Sequence, residues 1–312
     1  MSSSPVNVQL PQGCIIGRYR IERRISDGGF SIVYLAYDEQ GTPVAIKEYL
    51  PAALALRTGD AQEPTVSEEH RAAFDHGLRC FFEEGQHLAQ LNHKNVVRVL
   101  DFFRANGTVY LVMEYERGRT LQEHIGKNRG TLSEGFLRDT FARLSSGLRE
   151  VHAQKLLHLD IKPANIYLRS DGTPVLLDFG AARQTLGQES PQLRAMHTPG
   201  FAAPEQYGDD DQLGPWTDIY AIGATMYACL SGVKLPAADE RLKKDALKPA
   251  IETWRGKYSK QLLGLIDSCL ALDHLARPQS VFALQRELAT TAAPQRSWLY
   301  SLGDRLRQTI QK

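Results

Sequence analysis

The stretch His158-Leu159-Asp160-Ile161-Lys162-Pro163-Ala164-Asn165, followed thirteen residues later by Asp178-Phe179-Gly180, decides the reading of this 312-residue chain. It sets two acids, a lysine and an amide in the order that phosphoryl transfer requires. Asp160 is placed to accept the proton of an attacking hydroxyl, and Lys162 to neutralise charge on the moving phosphoryl group. Asn165 and Asp178 supply hard oxygen ligands of the kind magnesium takes. Asp-Phe-Gly by itself recurs by chance in unrelated chains. Two motifs in this order and at this separation do so far less readily.

The rest of the composition is that of an ordinary globular chain: 42% hydrophobic, 23% charged, net charge +1. Such a balance gives no global attraction to nucleic acid or anionic lipid. The length suits one large two-lobed domain or two small ones. Cys14, Cys80, Cys229 and Cys269 lie far apart with no Cys-x-x-Cys pair, which argues against a zinc site or a disulfide framework and suits a reducing cytoplasm. The start of the chain lacks a basic segment before an apolar run, so no signal peptide is expected. The most apolar window, 219–233, is too short to span a bilayer and is expected to be a buried helix.

Residues 1–17 read as a loose leader. Strand-like alternation follows at Tyr19 and Ile21, at Val33 and Leu35, and from Val44 to Lys47, with a turn over 38–43. A long helix is expected over 67–91, with Thr65 and Glu68 as a capping box. Two strands, 96–103 and 108–114, flank Asn106-Gly107, a hairpin-turn signal. After Gly118 the pattern becomes helical: Leu137, Phe141, Leu144, Leu148 and Val151 recur along one helical face.

Taken with this order of elements, the two motifs resemble those of the eukaryotic-like (Hanks-type) serine/threonine protein kinases that also occur in bacteria. The resemblance covers about residues 17–290. It implies an α+β, bilobal protein-kinase-like fold: a small β-rich N-lobe with one long helix, about 18–115, and a larger helical C-lobe, about 116–290. It also implies ATP and Mg2+ as cofactors, with Asn165 and Asp178 as metal ligands. Ile25-Ser26-Asp27-Gly28-Gly29-Phe30-Ser31, with Val33 beyond it, resembles the phosphate-covering loop, whose outer glycines are replaced here by Ser26 and Ser31; a tight turn without a ligand is the alternative. Val44-Ala45-Ile46-Lys47 resembles the strand whose alanine roofs the adenine and whose lysine reaches the α and β phosphates. Glu84 is the implied ion-pair partner of Lys47, preferred over Glu83, which points about 100° away on the helix. Met113 stands at the gatekeeper position, and the backbone of Glu114 and Tyr115 would read the adenine edge.

Thr198-Pro199-Gly200-Phe201-Ala202-Ala203-Pro204-Glu205 resembles the end of an activation segment, with Arg277 as the expected partner of Glu205. Asp218 would accept backbone N–H groups of the catalytic loop. Lys162, and Thr198 bridging Asp160 and Lys162, favour protein Ser/Thr hydroxyls as substrate, the chain's own included. The pattern departs from the family in two places. Leu159 replaces the arginine that commonly receives an activation-loop phosphate, so Thr185 and Ser190 are not expected to need phosphorylation. The Lys47–Glu84 interval of 37 residues exceeds the family's usual spacing; the excess, 49–76, is either a passive loop or a clamp that sets helix position. The run Lys47-Glu48-Tyr49-Leu50-Pro51 is similar to that of bacterial kinases found beside metal-dependent protein phosphatases, which implies a cognate phosphatase as a partner.

A nucleotide-binding scaffold without catalysis, a pseudokinase, is the alternative function; the retained Lys47, Asp160, Asn165 and Asp178 argue against it. A small-molecule phosphotransferase is disfavoured by the segment ending at Glu205. The tail, 291–312, is amphipathic: Trp298, Leu299, Leu302, Leu306 and Ile310 share one helical face, and Arg296, Arg305, Arg307 and Lys312 give it a basic side. Docking on its own large lobe is the expectation, with a partner protein or an anionic membrane surface contacted through 296–312 as the alternatives.

Overall fold

The computed structural model describes residues 7–179, 198–208 and 212–289. The N-terminal half builds a six-stranded antiparallel sheet in the order β1-β2-β3-β4-β8-β7. Its strands are β1 (Ile15–Ile16), β2 (Tyr19–Asp27), β3 (Ser31–Tyr37), β4 (Pro43–Tyr49), β7 (Val99–Ala105) and β8 (Thr108–Glu114). β8, rich in β-branched and aromatic residues, is buried from Thr108 to Met113 and sits between β4 and β7. It is reached through Asn106 and Gly107, whose φ values of 48° and 64° are those of a two-residue hairpin turn of type I′.

A small hairpin, β5 (Ala55–Leu56) and β6 (Thr65–Val66), precedes helix α1 (Glu68–Leu88). The helix packs Phe74, Phe81 and Leu88 inward, and Tyr49 at the end of β4 fits between Phe74 and Phe81, with ring centroids 5.3 and 5.6 Å away. The capping box expected at Thr65 and Glu68 is not formed: Thr65 pairs in β6, and Ser67 is the N-cap without a side-chain bond. The leader expected to be loose is docked from Asn7 onward. Leu10 and Ile16 are each 2% exposed, β1 pairs with β2, and the Val8 N–H donates to Arg57 O at 3.0 Å. Apolar Leu10, Cys14 and Ile16 at even spacing bury against the sheet, and that burial fixes the segment.

Past the short strand β9 (Gly118–Thr120) the chain is mainly helical: α2 (Leu121–Lys127), α3 (Glu134–Ala153), α4 (Pro215–Ser231), α5 (Ala238–Lys243), α6 (Ala250–Thr253), α7 (Lys260–Cys269) and α8 (Val281–Ala289). β10 (Ile166–Arg169) and β11 (Pro174–Leu176) complete a three-stranded sheet with β9. α3 buries Leu137, Phe141, Leu144, Leu148 and Val151, the face that the periodicity predicts. α4 is buried on every side from Thr217 to Leu230, as its continuous apolar run requires, and ends at Gly232, whose φ of 75° suits the left-handed cap. The curled antiparallel N-lobe on a helical C-lobe is the bilobal α+β architecture expected from the sequence. Among the described residues no helix is long and apolar enough to cross a membrane. The tail at 291–312, together with Thr185 and Ser190, lies outside the described residues.

The C-lobe's platform is fastened by the expected pair. The Arg277 guanidinium donates to both Glu205 oxygens, at 2.7 and 3.0 Å, with the two side chains 0% and 2% exposed. Thr217 Oγ1 donates to Glu205 Oε1 at 2.8 Å, the remaining Arg277 donors reach the carbonyls of Trp216, Ala271 and Leu272, and Tyr220 lies beneath the guanidinium. Removing one partner of such a pair leaves a buried charge alone. Arg277→Met is therefore expected to cost about 3–5 kcal/mol of stability, read as a lowered urea midpoint. A change below about 1 kcal/mol would show that the pair does not hold the platform.

Candidate active site

The catalytic loop is organised from beneath by Asp218, the fourth residue of α4. Its carboxylate accepts the His158 N–H at 2.9 Å, the Leu159 N–H at 2.8 Å and His152 Nε2–H at 2.8 Å. Burial works against its charge, but the His152 hydrogen bond and the His158 N–H outweigh burial and hold the carboxyl below the usual carboxylate range. These bonds hold Leu159 at φ 61°, a left-handed conformation that a leucine adopts only under constraint. Gln206 Nε2 donates to Leu159 O at 3.0 Å and ties the loop to the platform.

His158 is fully buried and stacks on Phe179 with ring centroids 4.4 Å apart. Burial pushes its imidazole pKa down, against the pull of Asp218 and Asp160. The neutral ring suits its contacts: Nε2–H donates to Leu177 O at 2.8 Å, and Nδ1 accepts the Asp160 N–H at 3.3 Å. The motif histidine thus joins the catalytic loop to the segment that leads from β11 to Asp178.

Above this base, Asp160 is enclosed by donors. Thr198 Oγ1 donates to Asp160 Oδ1 at 2.8 Å, and Lys162 Nζ reaches Thr198 Oγ1 at 2.8 Å and the two Asp160 oxygens at 2.9 and 3.1 Å. The bridge expected of Thr198 is therefore present. Asn165 Nδ2 donates to Asp160 Oδ2 at 2.8 Å and to Asp160 O at 2.9 Å, so its amide nitrogen faces Asp160. The Leu177 N–H donates to Asn165 O at 2.8 Å, which fastens the segment leading to Asp178 beside Asn165. Asp178 has φ 50°, and its carboxylate meets Lys47 Nζ at 3.1 Å.

Lys47 is 5% exposed and lies over the Phe81 ring at 5.5 Å. Glu84, one turn after Phe81, is on the buried face of α1 with Leu88, while Glu83 faces outward. Among the described residues no cluster of three or more His, Cys, Asp or Glu side chains could hold a metal ion. The donor set of one carboxylate, Asp178, and one amide oxygen, Asn165, fits magnesium, which takes few protein oxygens and fills its shell with phosphates and water.

The glycine-containing loop is the turn between β2 and β3. Ser26 and Ser31 lie within strands, opposite Val33 and Tyr49, where the backbone does not need glycine. Ile25 and Asp27 also lie in β2, so Gly28, Gly29 and Phe30 form the tip, closed by the Gly28 N–H donating to Ser31 O at 2.9 Å. Ala45 and Met113 are cross-strand partners, and Glu114 pairs with Val44. The Glu114 N–H is taken by Arg98 O at 2.9 Å, so Glu114 can offer its carbonyl to a ligand but not its N–H. Tyr115, the next residue, is half-buried.

Two ion pairs, one half-buried and one fully buried, were not anticipated. Arg169 Nε donates to Glu116 Oε2 at 2.6 Å, its Nη2 donates to Glu116 Oε1, and its Nη1 donates to Lys94 O at 2.9 Å, so the segment joining the lobes is tied to β10. Glu48 and Arg57, both 0% exposed, form the second pair behind the sheet. Period-two alternation along β4, with Lys47 and Tyr49 on one face, was the available signal that Glu48 points to the other.

The sequence matches the protein kinase domain family over residues 19–289. It is 33% identical to serine/threonine-protein kinase B of Synechocystis over 73% of this chain and 40% of that protein. It is 31% identical to the probable serine/threonine-protein kinase pknA2 of Bifidobacterium longum, over 94% and 38%, and 28% identical to serine/threonine-protein kinase PrkC of Bacillus subtilis, over 88% and 41%. The chain thus spans about two fifths of the length of these curated relatives. The solved structure of PpkA-294 in its apo form superposes with a TM-score of 0.81 at 36% identity, covering 90% of this chain and 99% of that one. Given that match and an Asp160 site assembled as described, the chain belongs to the protein kinase family, in its Hanks-type serine/threonine branch.

Proposed function

We propose that this chain transfers the γ-phosphoryl group of ATP to serine and threonine hydroxyls of protein substrates, its own among them. The observation that carries this reading is the closed set of hydrogen bonds among Asp160, Thr198 and Lys162. A nucleotide-binding scaffold has no use for a carboxylate so oriented. Asp160 accepts the proton of the incoming hydroxyl as its oxygen bonds to the γ-phosphorus and the bond to the β–γ bridging oxygen breaks, releasing ADP. Thr198 and Asn165 fix the Asp160 carboxylate, and the Lys162 ammonium sits where charge moves across the transferring group. Lys47 binds the α and β phosphates, with Glu84 on the buried face of α1 as the ion-pair partner that holds it forward. Ala45, Met113 and the Glu114 carbonyl line the adenine, with the 25–31 loop and Val33 over the phosphates.

Asp178 and Asn165 would hold magnesium, which neutralises phosphate charge when bound. The platform that Glu205 anchors supports a peptide substrate rather than a small alcohol. A cytoplasmic location and a cognate protein phosphatase belong to the same proposal. The wide spacing of Cys14, Cys80, Cys229 and Cys269, with no Cys-x-x-Cys pair among them, supports the first, and the run at 47–51 supports the second.

With a generic Ser/Thr substrate and labelled ATP, Asp160→Asn is expected to lower kcat by about 10²–10⁴ with the fold intact by circular dichroism. Wild-type turnover in that variant would sink the assignment of Asp160 as base. Thr198→Val removes a hydrogen bond to a charged group and is expected to lower kcat roughly ten- to a hundredfold, whereas Thr198→Ser keeps most of it. Equal losses in the two variants would mean that the hydroxyl is not what matters. Because Leu159 brings no cation to the loop, Thr185→Ala with Ser190→Ala is expected to retain most activity. A hundredfold loss in that double variant would reveal a phosphate receiver elsewhere.

A further inference from the structure

The residues that follow Lys47 grip the tip of the glycine-containing loop. The Leu50 N–H donates to Phe30 O at 2.8 Å, and the Ala52 N–H donates to Gly29 O at 2.9 Å. The chain then turns: the Leu54 and Ala55 N–H groups both donate to Pro51 O at 2.9 Å. Leu50, Leu54 and Ala55 are buried, and the segment ends at Arg57.

Arg57 is fully buried, and all five of its guanidinium N–H groups are used. Nη1 donates to Glu48 Oε1 at 2.5 Å and to Gln62 O at 3.3 Å. Nη2 donates to Glu48 Oε2 at 2.8 Å and to Tyr34 Oη at 2.9 Å, and Nε donates to Val8 O at 2.8 Å. Glu48 also accepts from Tyr34 Oη at 2.9 Å and Tyr110 Oη at 2.8 Å. The leader adds Asn7, whose Oδ1 accepts the Arg57 N–H at 2.6 Å. A charge pair so completely enclosed has one arrangement, and the chain leaving it has little freedom.

At the other end, a Cβ added to Gly28 or Gly29 would meet nothing within 4 Å, so within the tip only Phe30 packs a side chain on the core. The loop's carbonyls at Gly29 and Phe30 are fixed by the 50–52 backbone.

We propose that residues 50–57 form a brace that presets the phosphate-covering loop for nucleotide, with the Ala52 N–H as the contact and the buried Arg57–Glu48 pair as its anchor. The brace lies within 49–76, where the sequence allowed either a passive loop or a clamp on helix position. It rests on the ATP reading above and deepens it: a loop ordered beforehand loses less conformational freedom on binding. Ala52 and Arg57 are positioning residues that touch no substrate.

The test uses the full chain and Mg–mant-ATP as the fluorescent probe. Ala52 is the second residue of the turn closed by Pro51 O, a place proline fits, so Ala52→Pro removes the N–H while suiting the turn. It is expected to raise Kd for the probe and KM for ATP roughly two- to tenfold, the loss of about one hydrogen bond, with kcat kept. Amide exchange over 28–31 should quicken in the nucleotide-free protein, and Ala52→Ser should behave as wild type. Should Ala52→Pro fail to fold, Ala52→Gly loosens the same turn and is read by the same exchange and Kd. Unchanged exchange and Kd in the folded variant would overturn the brace alone. A wild-type chain that binds no nucleotide would overturn the ATP reading and the brace with it.

Discussion

The site depends on one buried carboxylate. Asp218 sits inside the large lobe on a helix with no exposed face, and it has more donors around it than most surface acids ever gather. Two of those donors are consecutive backbone N–H groups, and binding both forces the chain between them into the left-handed conformation at Leu159. That bend turns Asp160 up toward Thr198 and Lys162 while His158 turns down into the core. Strain of this kind persists only where the surroundings over-determine it. Here they do so from three sides: Asp218 below, Gln206 on Leu159 O, and the His158–Leu177 bond.

The same logic governs the small lobe with different parts. Alternation along β4 gives one strand two tasks. Lys47 and Tyr49 face α1, where Phe81 touches both, and Glu48 faces the leader and Arg57. Helix position and loop position are therefore referred to neighbouring residues of one strand. A shift of register by one residue would exchange the faces and bury Lys47 where Glu48 belongs. The enclosed Glu48–Arg57 pair fits one register only, which is the best-attested use of a buried ion pair.

What could be read from the sequence, and what could not, follows from how local each signal is. Asp160, Lys162, Asn165 and Asp178 lie in two short runs whose chemistry is in the residue types themselves. The Glu205–Arg277 and Asp218 contacts were legible only through resemblance, since nothing in their spacing brings them together. Glu48–Arg57 was not read at all: an acid and an arginine nine residues apart around a proline turn look like two solvated charges until the leader covers them. The leader itself looked loose because its strand is only two residues long and the rest of it docks through Leu10 and through contacts of Asn7 and Val8 with Arg57. The expected capping box failed for a related reason. Thr65 was claimed by a two-residue strand that only the Ala55–Val66 pairing creates.

The contact between Lys47 and Asp178 joins β4 of the small lobe to the segment after β11 in the large lobe. Lys47 is nearly buried and Asp178 one-third exposed, so the pair is partly solvated and its rupture costs little. On the proposed reading, Lys47 would bind nucleotide phosphate and Asp178 would hold magnesium, so both charges would keep partners if the pair opened. A fully buried pair at that place, like Arg277 with Glu205, would resist the exchange. Arg277–Glu205 and Arg57–Glu48 are closed to solvent, whereas Lys47–Asp178 leaves its carboxylate one-third exposed.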